Sequence, residues 1–123
     1  FHGEAVCTAQ QLRTPLLLKN LEGRGDLIPI ALHRLAARDR EKDTQYCEPL
    51  YHYLTCCHSL KKTSDALYTH RNTVLYRIRR LQEDFAIPLE EPSQHADLLL
   101  GVSLILFEIK GPDFFLRAPK NEA

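Results

Sequence analysis

Methionine and tryptophan are absent from this 123-residue chain, and no apolar run approaches the roughly 20 residues needed to cross a bilayer. The longest such run, residues 98–107, is broken by Gly101 and Ser103. No signal peptide stands at the start either, so a soluble, cytoplasmic protein with no membrane partner is expected. The lack of methionine, with an opening Phe-His-Gly, predicts a piece of something longer. Cysteine is sparse: Cys7, Cys47, Cys56 and Cys57, two of them adjacent. A chain of this size folds without staples, so reduced, partly buried thiols are expected rather than a disulfide framework.

Net charge is lacking too, which argues against a nucleic-acid partner until it is resolved by segment. Residues 1–60 carry 7 basic and 7 acidic groups, 61–81 carry 6 and 1, 82–108 carry 0 and 6, and 109–123 carry 3 and 2. A short basic block on an otherwise neutral body is the footprint of one anion-binding face.

Convincing two-residue alternation is missing as well, while helical spacing recurs throughout. The expected class is all-α, a helical bundle of about six helices containing a helix-turn-helix. Residues 9–21 read as a helix phased on Leu12 and Leu16, with Pro15 near its start or at a kink. Gly23-Arg24-Gly25-Asp26 lacks the phosphate-loop pattern and reads as a turn. Asp26 is the expected cap of a second helix phased on Ile28, Leu32 and Leu35. Asp43 or Thr44 would cap a third, with Cys47, Leu50, Leu54 and Cys57 as its apolar stripe. A short helix over 60–68 and a longer one over 70–85 follow, separated by a very short link. Pro88 and Pro92 bracket a loop, and Ser93 is the expected cap of a final helix reaching about residue 109. That helix is apolar nearly all round, as befits a central packing element or a dimer interface. Gly111-Pro112 ends it, and in the tail only Phe114-Phe115-Leu116 is apolar enough to fold back. Domain bounds follow: a helical segment over 1–44, the helix-turn-helix domain over 45–110 and a tail over 111–123.

The chemistry concentrates in residues 60–85. At about 100° per residue, Val74, Ile78, Leu81 and Phe85 fall within roughly 60° of one another and form a core stripe. The opposite side collects Asn72, Leu75, Tyr76, Arg79, Arg80 and Glu83, a polar, basic and aromatic face of the kind a recognition helix turns to base edges. Ser64 is small enough to let the preceding helix cross closely, and Leu67 faces the shared core. Thr69 or His70 caps the second helix, whose free N–H groups, with Thr73 in the first turn, favour a phosphate. Arg71, Asn72, Leu75, Tyr76 and Arg79 are the candidates for base contact, Arg71 and Asn72 having the side chains that suit guanine and adenine edges. Lys61, Lys62, Arg77 and Arg80 are assigned mainly to phosphate, Arg77 lying close enough to the apolar stripe for a structural ion pair to fit equally well.

The block from Thr69 to Leu81, Thr-His-Arg-Asn-Thr-Val-Leu-Tyr-Arg-Ile-Arg-Arg-Leu, closely resembles the signature of the C-terminal helix-turn-helix domain of PucR-type transcriptional regulators, which include purine-catabolism and sugar-diacid regulators. Residues 35–39 and 46–54 are similar to the family's stretch before the motif, where an acidic residue precedes a helix ending in Tyr-Leu. The loop between Pro88 and Pro92 and the apolar final helix fit as well, so the resemblance spans residues 27–108. Thr63 and Ser64 stand where the family usually has alanines, and Thr69 where it has an aliphatic residue. The resemblance implies sequence-specific double-stranded DNA binding in a transcription factor whose effector is sensed by an upstream region, and the half-site geometry of helix-turn-helix docking adds the expectation of a homodimer.

Other readings fare less well. Arg79–Glu83 and Arg80–Asp84 are i, i+4 pairs that would suit a merely solvated face, but they do not account for the turn or the His-Arg-Asn-Thr block. Cys47, His52, Cys56, Cys57 and His58 invite zinc, yet adjacent cysteines serve one tetrahedral ion poorly and the usual Cys-x2-Cys spacing is missing. No paired carboxylates or nucleophile elbow point to an enzyme, so no catalytic residue, metal or cofactor is expected. The remaining alternative is a helical dimerisation or effector-coupling module without DNA affinity.

Overall fold

The computed structural model describes residues 9–42 and 44–116, with side chains from residue 13 onward. Cys7, Asp43 and the Leu12 side chain lie outside the described residues. Among the described residues there are seven α-helices and no strand: α1 (Ala9–Asn20), α2 (Ile30–Lys42), α3 (Cys47–Thr55), α4 (Leu60–Leu67), α5 (Arg71–Glu83), α6 (His95–Lys110) and α7 (Asp113–Leu116). The all-α expectation holds. The helix beyond the expected six is α7, formed by the Phe114-Phe115-Leu116 segment, which does fold back and buries Phe114. No described helix is long and apolar enough to cross a membrane.

The all-round apolarity of α6 is explained by its neighbours, since α1, α2, α3 and α7 all pack on it. Leu98 and every residue from Gly101 through Phe107 are buried, and Leu99 and Leu100 are partly covered. Leu32, Leu35, Leu50, Leu54, Val102 and Leu106 form the principal core, which Val74, Ile78 and Leu81 of α5 join from the other side. Phe85, just past α5, packs against Tyr46 at 5.6 Å between ring centroids and receives the Arg38 guanidinium over its face at 5.5 Å. These contacts fix the exit of α5 against α2 and the start of α3.

Several local expectations need correction. In α1 the buried leucine is Leu18, not Leu16, which is 61% exposed. Asp26 does not cap α2, because it forms a two-pronged ion pair with Arg24 at 2.9 Å inside a 3₁₀ turn. Pro29 precedes α2 instead, its carbonyl accepting from the Leu32 and His33 amides. Thr44 does not cap α3. Asp39, at the end of α2, does so across the loop, accepting from the Tyr46 and Cys47 amides and from the Thr44 hydroxyl at 2.8–3.1 Å. Burial and then the Asp39 charge push the Cys47 thiol far above its ordinary range, so it stays protonated.

Cys57 leaves the expected α3 stripe, since the helix ends at Thr55 and Cys57 and His58 both turn to positive φ. Ser93 caps nothing: it lies inside a second 3₁₀ turn, Pro92–Gln94, which leads directly into α6. The residue buried in α4 is Thr63, fully enclosed, rather than Ser64. The Thr63 hydroxyl donates to the Ser59 carbonyl at 2.6 Å, so its burial leaves no polar group unsatisfied.

Candidate nucleic-acid interface

Two short helices meeting at a three-residue turn make up the candidate site. Ser59 caps α4 by accepting from the Lys62 amide at 3.1 Å. Tyr68 then stops α4 in the left-handed region at φ 54°, and the Thr69 amide donates back to the Ser64 carbonyl at 3.0 Å. That is the hydrogen-bond pattern of a Schellman helix end, which reverses the chain in few residues. His70 caps α5, its Nδ1 accepting from the Asn72 amide at 3.0 Å. A nitrogen that accepts carries no proton, so the ring proton sits on Nε2, aimed outward as a donor at the helix start. The Thr69 hydroxyl donates to the Leu67 carbonyl within the turn.

The two faces of α5 separate as its period requires. Val74, Ile78 and Leu81 are buried. Arg71, Asn72, Thr73, Tyr76 and Arg79 are exposed, Leu75, Arg77 and Arg80 partly covered. Lys61 and Lys62 are exposed on α4, and His70 is exposed and Thr69 partly covered in the turn. All twelve residues singled out in the sequence therefore lie on one continuous α4–turn–α5 unit.

Their charges are not equivalent. Lys61 is paired with Asp65 one turn on at 3.1 Å, a surface contact that salt screens readily. Arg80 is engaged more thoroughly: its Nε donates to Asp84, its Nη1 donates to the Tyr76 hydroxyl at 2.7 Å, and its guanidinium stands 5.7 Å from the centre of the Tyr76 ring. The bond to Tyr76 and then that to Asp84 hold the Arg80 pKa above its ordinary value. Lys62, Arg71, Arg77 and Arg79 enter no ion pair among the described residues, and the expected Arg79–Glu83 pair is not formed. The Tyr76–Arg80–Asp84 ladder leaves the Tyr76 hydroxyl as acceptor toward Arg80 with its own proton available outward. The sequence reading found the Arg80–Asp84 rung but not the Tyr76 rung, although both have i, i+4 spacing.

Residues 46–104 match the family model of the PucR C-terminal helix-turn-helix domain. Over these residues the chain is similar to that family. The match begins at Tyr46, one of the residues whose amide Asp39 receives, and ends inside α6, so it takes in α3, α4, α5 and most of the helix that supports them. Neither a curated protein nor a solved structure matches the chain. Among the described residues, no three His, Cys, Asp or Glu side chains are grouped to hold a metal ion.

Proposed function

We propose that the PucR helix-turn-helix segment binds double-stranded DNA in a sequence-specific manner, placing α5 in the major groove, and serves as the DNA-binding end of a transcriptional regulator. The supporting observation is the division of α5. One face is sealed in the core, and the other presents Asn72, Tyr76 and Arg79 beyond a His-capped N-terminus with unpaired cations on either side. A helix held this rigidly from behind can offer side chains to base edges with little ordering cost. Arg71, Asn72, Leu75, Tyr76 and Arg79 face the bases, with Thr69, His70 and Thr73 around the helix start and Lys61, Lys62 and Arg77 toward phosphate. Two copies of the chain engage half-sites about one helical turn apart, and an upstream sensor region supplies effector control.

Selection of bound sequences from a random duplex pool tests this reading. A symmetric consensus with that spacing is the expected result. Absence of salt-sensitive binding to any duplex would turn the reading toward a dimerisation or effector-coupling module. Asn72→Ala should cost about 1–3 kcal/mol on the selected site and little on random duplex. Lys62→Ala should weaken both alike and reduce the salt slope by about 1. Equal losses on both duplexes for Asn72→Ala would remove Asn72 from the base-reading set.

Arg80 gives a further prediction of opposite sign. Because Asp84 already neutralises it, it is a poor phosphate ligand as it stands. Asp84→Asn should release it, raising affinity for every duplex and steepening the salt dependence by up to about one counterion. An unchanged slope, measured by titration at several salt concentrations, would mean that Arg80 serves only to hold Tyr76.

A further inference from the structure

The hydroxyl of Tyr76 is committed in one direction. Arg80 Nη1 donates to it at 2.7 Å, and the guanidinium is held in turn by Asp84, one turn further along. A phenolic oxygen that already accepts from a cation is a poor acceptor for a second N–H, so what it offers outward is its own proton. The same contact fixes the ring, with the guanidinium 5.7 Å from its centre, yet the residue remains 57% exposed. Among the described residues it is the one exposed large hydrophobic side chain on α5. A rigid ring with a hydrogen-bond donor at its tip therefore stands on the face that carries Asn72.

Resting on the DNA-binding reading above, we infer that Tyr76 reads a thymine, its hydroxyl donating to O4 and its ring packed against the C5-methyl group, with Arg80 as the positioning residue. Thymine alone presents an acceptor together with an apolar group in the major groove. Cytosine turns only an amino donor outward, which a hydroxyl with its acceptor side occupied does not match. Adenine and guanine offer N7 as an acceptor but no methyl for the ring. Asp84 has a part in this as well: by neutralising Arg80 it keeps the guanidinium on Tyr76 rather than on a phosphate. Asn72 and Tyr76 are four residues apart, on one face and about 6 Å apart along the helix axis. The thymine therefore lies within about two base pairs of the base that Asn72 contacts.

The test uses the 123-residue chain and the duplex selected from the random pool. Each thymine is replaced in turn by uracil, which lacks only the methyl, and by 5-methylcytosine paired with guanine, which keeps the methyl but puts an amino donor in place of O4. At one thymine per half-site, uracil is expected to weaken binding about 4-fold, the worth of one buried methyl. At the same position 5-methylcytosine should weaken it about 5- to 10-fold, the effect of one lost hydrogen bond. Tyr76→Phe should keep the uracil penalty and lose most of the 5-methylcytosine penalty, and Tyr76→Ala should lose both. Arg80→Ala should shrink the 5-methylcytosine penalty, because the freed hydroxyl can accept from the amino group, and Arg80→Lys, which keeps a donor, should restore part of it. Each penalty is a ratio within one variant, so a uniform loss from the missing charge cancels.

A selected half-site with no thymine near the Asn72-dependent base, or uracil accepted at every thymine without loss, overturns the assignment. So does a uracil penalty that survives in a folded Tyr76→Ala, which would give the methyl to Leu75. Should thermal unfolding show Tyr76→Ala to be poorly folded, Tyr76→Phe decides, since it removes a single surface oxygen: an unchanged 5-methylcytosine penalty there overturns the hydroxyl contact. Unchanged penalties in Arg80→Ala remove Arg80 as the positioning residue. Failure of the unsubstituted chain to bind any duplex overturns the DNA-binding reading itself, and is distinguishable because it appears before any base or variant is compared.

Discussion

Asp39→Ala is expected to lower the stability of the fold by about 2–3 kcal/mol, more than the roughly 0.5–2 kcal/mol of an ordinary helix cap because buried amides are left unsatisfied. The helix it caps has no cap of its own: Tyr46 occupies the N-cap position without a side-chain bond to the helix. Asp39 substitutes from α2, one carboxylate receiving the Tyr46 and Cys47 amides and the Thr44 hydroxyl at once. Bonds to an ionised acceptor are stronger than neutral ones, and the partly buried amides left behind would be unsatisfied. The carboxylate also sits at the positive end of the α3 dipole, which adds a modest favourable interaction. Urea unfolding is the measurement, with an unchanged m-value showing that the loss is one of stability. Asp39→Asn, which keeps one acceptor oxygen, should fall between, and Thr44→Ala should cost less than either. A loss below about 0.5 kcal/mol for Asp39→Ala, the range of ordinary surface substitutions, would show that α3 is held by packing alone.

The same residue marks where the sequence is transparent and where it is not. The α5 face and core were legible because the helix is long, its apolar residues fall on one stripe, and the block from Thr69 to Leu81 carries a family signature. The capping of α3 was not, since nearest-neighbour reasoning chooses Asp43 or Thr44 and cannot see a carboxylate returning from the preceding helix. Asp26 and Ser93 depart from their expected capping roles for a related reason. Each has the chemistry of a cap, but Asp26 is drawn to Arg24 and Ser93 is enclosed in a 3₁₀ turn. In α1 the run Leu16-Leu17-Leu18 has apolar side chains at successive angles of about 100°, so periodicity cannot choose among them. Packing against α6 and α7 chooses Leu18. Thr63 over Ser64 is a similar one-residue rotation, made tolerable because the Thr63 hydroxyl finds the Ser59 carbonyl.

Gly101 was visible in the sequence only as a break in an apolar run, and its structural meaning is a close crossing. A β-carbon there would stand 2.8 Å from Cδ1 of Leu32 and 2.9 Å from Cδ of Pro29. Leu32 is fully buried and Pro29 is a closed ring, so neither can swing aside freely. Helix propensity alone favours Gly101→Ala by about 1 kcal/mol. Overpacking opposes it by about 1–3 kcal/mol, so a net loss is expected despite the better helix former. Gly101→Leu has no such accommodation and should cost about 3 kcal/mol or more, separating α2 from α6. The decisive measurement is a double-mutant cycle. Leu32→Ala alone should cost about 2–5 kcal/mol as a cavity, but combined with Gly101→Ala it removes one of the two clashing atoms, so the double variant should lose less than the two single losses together. Strict additivity would show that the crossing relaxes elsewhere. Because α5 lies on the other side of the core, the fraction of Gly101→Ala that remains folded should bind duplex as the unsubstituted chain does, which separates loss of scaffold from loss of interface.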